Sequence, residues 1–442
     1  MEKKVQWASN IGFILATAGA AIGLGNLWKF PYLMGKNGGF QFLIAYLVFV
    51  LLLGVPVLVT EMSIGRMTGK GPVQAYGDLN KKAKIIGIMG IICAFIILSY
   101  YSVIGGWILK YIASYVTTQA APVDFAAYIA SPVESIIWHF IFMLCVVFIC
   151  YKGTNGIEKA SQFMMPALFV LLLIIVVRSV TLPGAQAGID FVFKMNGGFR
   201  LASIPAALGQ VFYSLSLCMG ITITYGSYLN RKENIAKNAI IVASLDTSVA
   251  ILAGLAIFPA VFAFGMEPGQ GPGLIFGTLP KVFGSMTGGW FFAVIFFGLV
   301  FFAAVTSAIA LLETVVSAFL DHFKCSRKTA VFVLGLGVFL LGVPSALSFG
   351  VLGDVTILNY SVFDFMGMLT DNILMPIGGI LMCIYIGWIW GPEKIIQHVE
   401  SNGITFHLKK AWLLCIRFIT PLLIIIVTVM GFIDVFKMVT GQ

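Results

Sequence analysis

The chain is a succession of apolar runs, each about as long as a bilayer is thick. The runs fall at 8–34, 40–65, 85–117, 135–151, 157–181, 202–228, 236–263, 288–320, 328–346, 358–390 and 409–435. That makes about eleven candidate spans of roughly 20–30 residues. Hydrocarbon offers backbone N–H and C=O groups no partner, so each run must satisfy its own as a helix. The composition agrees, with 60% hydrophobic residues, 10% charged residues and a mean hydropathy of +1.00. A water-soluble domain cannot hide that much apolar surface. The fold class expected is therefore an all-α polytopic membrane protein, a single transmembrane domain over 1–442 with no separate soluble domain. The first run follows Glu2-Lys3-Lys4 without a small-residue cleavage site and is expected to be retained as a span.

The charges between the runs orient the chain. Segments 66–84, 152–159, 231–237, 321–328 and 393–410, with the N-terminus, carry most of the Lys and Arg. Segment 119–134 carries none, and 265–287 only Lys281. The chain is expected in the cell inner (plasma) membrane, and by the positive-inside bias its N-terminus is expected in the cytoplasm. An odd number of spans then places the C-terminus outside. The net charge of +9 reports this topology and gives no reason to invoke nucleic acid. The seven cysteines are scattered with no CxxC pair, against a metal site or a disulfide framework. Of the four histidines, only His139 lies within a span, and no HExxH or nucleophile–base cluster appears, so an enzyme is not indicated.

Two spans read poorly as lipid-facing helices. The first carries "AGAAIGLGN" at 18–26, and the sixth carries "GQVFYSLSLCMGITITYGSY" at 209–228, interrupted by Ser214, Ser216 and Gly220. Interruptions at matching places in two halves point to an inverted-repeat transporter whose broken helices expose backbone groups at the midplane. The alternative is a small-residue packing face formed by Ala16, Ala20 and Gly23.

These stretches carry a resemblance. The segment "QWASNIGFILATAGAAIGLGNLWKFPY" resembles the first span of the neurotransmitter:sodium symporter family. The 209–228 segment is similar to that family's sixth span, "FFAAVTSAIALLE" to its eighth, and "GLIFGTLPKVF" to its fourth extracellular loop. The resemblance runs nearly end to end. It implies a LeuT-type fold of five-plus-five inverted repeats, about 8–181 and 202–390, plus an eleventh span at about 409–435. It also implies a sodium-coupled symporter that imports an amino acid by alternating access. The general inverted-repeat rule takes a member of this family as its example. A membrane sensor that binds an amino acid, or a channel of the same fold without coupled flux, stays open as the alternative. The partners expected are an amino acid and the lipid bilayer, with the chain a monomer or weak homo-oligomer.

The resemblance assigns two sodium sites. One would use the carbonyls of Gly19, Ile22 and Ala303 with the hydroxyls of Thr306 and Ser307. Read from the residues alone, those hydroxyls could equally bond back to the preceding turn. The other would use the Ala21 carbonyl, the Asn26 side-chain oxygen, Ser214, Asp246 and the substrate's own carboxylate. Asp246 lies deep in the seventh span, where a carboxylate is costly and by default functional; an internal salt bridge is the other reading. Much of the family has asparagine there and binds chloride nearby, in a pocket matching Tyr46, Gln210, Ser214 and Ala250. The fixed charge of Asp246 could replace that anion, so chloride is expected not to be required.

For the substrate, the resemblance places the carboxylate on the N–H groups of Gly23, Leu24 and Gly25 and on Tyr101, in keeping with the positive end of a half-helix. The carbonyls from Ser214 to Leu217 would take the amine. Ile97, Tyr213, Ser216, Met219, Ala308 and Leu311 would line an apolar side-chain pocket, which suits a neutral, hydrophobic amino acid because an unpaired charge there is costly. Cys218 stands where the family commonly has glycine. Its sulfur is expected to narrow the pocket and favour medium aliphatic substrates. The gates carried over are Lys29–Asp364 outside, with lysine a weaker clamp than the family's arginine, and Lys4–Asp321 inside, near Ser227, Tyr228 and Glu313. Without the resemblance, each edge charge reads as a snorkelling side chain. Gly156 and Pro166 give a Gly-X9-Pro spacing, expected to act as a hinge that unwinds the fifth span, or else as an ordinary proline kink.

Overall fold

The computed structural model describes residues 6–122, 124–195, 200–201, 203–266 and 273–440. Among them, nine helices are long and apolar enough to cross a membrane. They are Phe40–Thr68, Lys81–Thr118, Pro132–Tyr151, Gly153–Val180, Ile235–Ala263, Gly289–His322, Arg327–Leu347, Val362–Trp390 and Lys409–Thr440. The first span is a pair of helices, Asn10–Ala21 and Gly25–Lys36, bent by 50°. The sixth is split into Ser203–Ser214 and Ile221–Gly226. Each half is too short to count as a span by itself. The apolar run expected to open the tenth span at 358 begins instead with a short hairpin, Thr356–Ile357 paired with Tyr360–Ser361, and the helix starts at Val362.

Local rules account for the helix ends. Ser9 caps the first span, its hydroxyl accepting the Gly12 N–H at 2.9 Å. Gly69, in the left-handed conformation, ends the second. Asn234 and Ser326 cap the seventh and ninth. The helices are not equally central. The most apolar window of the eighth span is 72% buried inside the protein, whereas that of the last helix is 28% buried. The eighth span is thus the post around which the others stand, and the last helix lies at the lipid-facing rim.

Two glycines let the second and sixth spans meet backbone to backbone. A Cβ on Gly65 in the second span would come within 2.0 Å of the Ile223 carbonyl oxygen of the sixth, and one on Gly226 within 2.7 Å of the Met62 carbonyl oxygen. Only residues without side chains let the two backbones approach so closely. The fifth span is wound from Gly153 to Val180 with Pro166 inside it. The expected unwinding is therefore not a feature of this conformation. Gly156 sits in the first turn, where a Cβ would lie 2.6 Å from the Ile149 carbonyl of the fourth span. Its lack of a side chain is used for close packing.

Candidate functional site at the two helix breaks

The breaks of the first and sixth spans face each other in the middle of the protein. The first helix stops at Ile22, whose backbone turns to an extended conformation, and restarts after Leu24. The sixth stops at Ser214 and restarts after Gly220, passing through positive φ at Ser216 (51°), Cys218 (61°) and Gly220 (78°). Ser216 Oγ donates to the Ala20 carbonyl at 3.0 Å and ties one break to the other.

Between them lies a small cavity. Its polar end is made by Gly23, Leu24, Gly25, Tyr101 and Ser307. The Leu24 N–H donates to the Tyr101 hydroxyl at 3.2 Å, so backbone donor and phenol converge as expected of a carboxylate seat. Its apolar end is made by Ile97, Tyr213, Met219 and Leu311, with Ile221 added. Ala21 and Ser216 also reach the cavity. Three expected members do not line it. Ser214 turns its hydroxyl to Asp246, Leu217 is fully buried in protein, and Ala308 is a short side chain buried in the eighth span. The expectation for Cys218 also fails. Its sulfur points to Gly379 of the tenth span and to a separate cavity containing Glu61, so it does not narrow this pocket.

Two oxygen clusters flank the cavity. In the first, Ser307 Oγ stands 3.4 Å from both the Gly19 and Ile22 carbonyl oxygens. That is long for a hydroxyl hydrogen bond. It equals the edge between oxygens sharing a hard cation at about 2.4 Å. Thr306 Oγ1 meanwhile donates to Phe302 (2.9 Å) and Ala303 (3.1 Å), so the back-bonded reading describes Thr306 and the converging one describes Ser307.

The second cluster centres on Asp246, which is fully buried. Its Oδ2 accepts from Ser214 Oγ (2.8 Å) and Tyr46 OH (3.0 Å). Its Oδ1 accepts from Asn26 Nδ2 at 2.7 Å. The same nitrogen contacts Ser214 Oγ (3.0 Å) and the Asp246 carbonyl (3.1 Å), while Asn26 Oδ1 accepts the Gly23 N–H at 3.0 Å. The amide thus presents its nitrogen, not the expected oxygen, to Asp246. A buried carboxylate needs donors, and here the NH₂ group stands where a cation sharing those oxygens would. Gln210 Nε2 donates to the Gly25 carbonyl at 2.9 Å, leaving its Oε1 unpartnered, and Ala250 offers only a methyl group.

The outer end is closed by Lys29, but not with Asp364. Lys29 Nζ pairs with Asp371 at 2.7 Å and stands 4.2 Å from the Tyr213 ring centroid. Asp364 is held at the start of its helix by Ser361, which donates to its carboxylate at 2.7 Å. The two aspartates are two helical turns apart on one face, and only the deeper one reaches the cavity mouth. At the inner end, Lys4 lies outside the described residues. Asp321 accepts the Gly71 N–H at 2.5 Å, and Tyr228 OH donates to Glu313 at 2.8 Å. Ser227 donates to the Thr224 carbonyl at 2.6 Å.

Glu313 is expected near the inner gate, but its cationic partner Arg327 and the carboxylates Glu158 and Glu61 are not among the expected site residues. Glu313 is ion-paired with Arg327, whose guanidinium also donates to the Cys150 carbonyl. Glu158 accepts from the Ala8 N–H (2.8 Å) and Ser9 Oγ (3.0 Å), anchoring the inner end of the first span. Glu61 accepts from Thr222 at 2.5 Å. Each is an ionisable residue within or beside an apolar run, a signal legible without a structure. Where the second span ends, His398 Nε2 accepts from Arg66 Nε at 3.0 Å; burial, helped by Arg66 and Arg231, pushes its imidazole down to about 4.

A membrane-spanning bundle with two facing helix breaks, a central cavity and flanking oxygen clusters is the architecture of a transporter. The comparisons agree. The model of the Sodium:neurotransmitter symporter family matches residues 4–134 and 127–441, and the chain belongs to that family. Among its relatives, the sodium-dependent transporter YhdH of Bacillus subtilis (strain 168) is 39% identical over 96% of this chain and 97% of the relative. A sodium-dependent transporter of Haemophilus influenzae is 36% identical over 96% and 98%. Among solved structures, that of MhsT in complex with L-phenylalanine superposes with a TM-score of 0.89 at 41% identity, covering 97% of this chain and all of that one.

Proposed function

We propose that this symporter imports a neutral, hydrophobic amino acid together with two sodium ions and without chloride, by alternating access. The observation that carries the reading is the convergence of both helix breaks on one cavity with a polar and an apolar end. The carboxylate would bind the N–H groups of 23–25 and Tyr101, and the side chain would lie among Ile97, Met219 and Leu311. Among the described residues no cationic or anionic side chain lines the cavity, so a charged substrate side chain would be buried unpaired. With Cys218 turned away, aromatic side chains are as compatible with the lining as aliphatic ones, and the phenylalanine complex of MhsT is in keeping with this.

Sodium fits the donors present, which are carbonyls, hydroxyls and one carboxylate. One ion would sit among Gly19, Ile22, Ala303, Thr306 and Ser307. The other would sit between Ala21, Ser214, Asp246 and the substrate carboxylate, with the Asn26 amide turned to offer Oδ1. Chloride independence is supported by the spent donors. Tyr46 and Ser214 both give their hydroxyl protons to Asp246, and Gln210 gives an amide proton to Gly25. The anion those groups would hold is already covalently present. Two inverted repeats, a cytoplasmic N-terminus, an external C-terminus and a fifth-span hinge at Gly156–Pro166 complete the proposal.

The test is uptake of an amino-acid panel into proteoliposomes. Saturable accumulation that needs an inward sodium gradient, with counterflow, is expected; flux without either would indicate a channel, and binding without flux a sensor. Replacing chloride by gluconate is expected to leave uptake unchanged, and a steep chloride requirement would overturn that part.

A further inference from the structure

On the lipid face, the outer end of the fifth span carries a trough that nothing above uses. Val170, Leu173, Ile174 and Val177 follow one another at the spacing of a single helix face, and all four are exposed, from 39% to 60%. Arg178 and Thr181 continue the same stripe at its outer end. Phe292, in the first turn of the eighth span, forms the opposite wall of an open volume of about 820 Å³.

The charge at the end of the trough is unusual in its surroundings. The Arg178 guanidinium stands 5.6 Å from the Phe292 ring centroid. It has no carboxylate or hydrogen-bond partner among the described residues, although it carries five N–H donors in a planar fork. Behind it lies a narrow crevice, which Arg178 and Phe292 share with Ser179. The Ser179 side chain is 3% exposed, and its hydroxyl has no partner. Two groups with unspent donors therefore meet where an apolar trough about 10 Å long reaches the membrane edge.

We propose that this is a site for one anionic phospholipid, an acyl chain lying along the trough and its phosphate held by the Arg178 guanidinium. A neutral solute has nothing to bind in a trough walled by exposed aliphatic groups, and any lipid tail would fill it. The charge complementarity at one end selects the headgroup, since the planar fork suits phosphate oxygens bidentately. The position also has a consequence. Arg178 and Phe292 also line the adjoining crevice, whose far wall is Leu279, Val282 and Phe283 of the short helix Leu279–Ser285, so the site borders that helix.

The experiment is native mass spectrometry of the purified full-length chain, titrated with phosphatidylglycerol and phosphatidylcholine of identical acyl chains. One phosphatidylglycerol is expected to bind about fivefold more tightly, corresponding to the ~1 kcal/mol of one basic residue near an anionic headgroup. Arg178→Gln is expected to remove that preference and Arg178→Lys to keep most of it. Lys281→Gln, which deletes an outer charge not belonging to the trough, is expected to change nothing. Val177→Trp, at a lipid-exposed position, is expected to weaken both lipids. The proposal fails if Arg178→Gln keeps the preference, if Lys281→Gln loses it equally, or if Val177→Trp retains both lipids as the native chain does. Displacement of the lipid by soluble glycerol phosphate would also overturn it, because the anion alone would then suffice.

Discussion

The two helix breaks solve the same problem with opposite residues. In the first span the break is rich in glycine, yet neither Gly23 nor Gly25 has positive φ. Glycine is there for space. A Cβ on Gly23 would come within 2.5 Å of Ser307 Oγ and 3.0 Å of Tyr101 OH, and one on Gly25 within 2.8 Å of the Tyr213 ring. In the sixth span the backbone does require left-handed conformations, and two of the three positions hold serine and cysteine. Non-glycine residues held there cost about 1–3 kcal/mol each and persist only where the surroundings over-determine them. The first break is thus built for close approach, and the second holds strain. A glycine count alone finds the first and underestimates the second.

The sharpest way to break this comparison is Gly23→Ala. The added methyl cannot be accommodated without moving Ser307 or Tyr101, both part of the polar end. Sodium-dependent uptake is expected to fall to background; near-native uptake would mean that space is not what this glycine supplies. Next in size is Asp246→Asn, because Asp246 joins Asn26 beyond one break to Ser214 before the other. Uptake in chloride-free medium is expected to drop about tenfold or more, the scale of a lost charged hydrogen bond of ~1.5–3 kcal/mol. Added chloride is expected to restore part of it. Equal rates at zero chloride would remove Asp246 from the coupling.

A smaller effect is expected at the outer closure of the first break. Asp371→Asn is predicted to weaken apparent substrate affinity a few-fold, as expected for a half-exposed ion pair. Asp364→Asn should leave it unchanged, and the reverse order would restore the gate expected from sequence. The mildest test concerns the strained break. Cys218→Gly removes the left-handed penalty but frees the unfolded chain, so thermal stability should change by less than about 1 kcal/mol. Cys218→Val, β-branched at positive φ, should cost about 2 kcal/mol. Similar losses in both variants would show that packing of the sulfur against Gly379, not backbone strain, governs this position.

How far the molecule was readable follows the same division. The spans were legible because a membrane forces each apolar run to be one helix, and both breaks showed as weak helix formers inside such runs. The polar lining of the cavity was legible through Tyr101, on a continuous helix, and the 23–25 amides, at a break marked by weak helix formers, whereas Ser307 was expected only at a sodium site. What escaped depended on facing. Asp364 and Asp371 share a helix stripe, so spacing could not choose between them. Cys218 lies on a segment with no regular period, so nothing in its position says which cavity its sulfur enters. The orientation of the Asn26 amide is decided by the hydrogen-bond demand of Asp246, a residue 220 positions away. Arg327 lies within the charged segment 321–328, and nothing in that position announces that its partner Glu313 is completely buried.

The backbone contact between Gly65 and Ile223, with Gly226 against Met62, has a mechanical meaning. Two helices touching main chain to main chain cannot slide past each other by adjusting rotamers, because there are none to adjust. The second span and the inner half of the sixth should therefore travel as one lever while the cavity changes the side it faces. Spectroscopic labels placed on that pair would report one fixed separation throughout the cycle, and so provide a ruler against which the motion of every other helix can be measured.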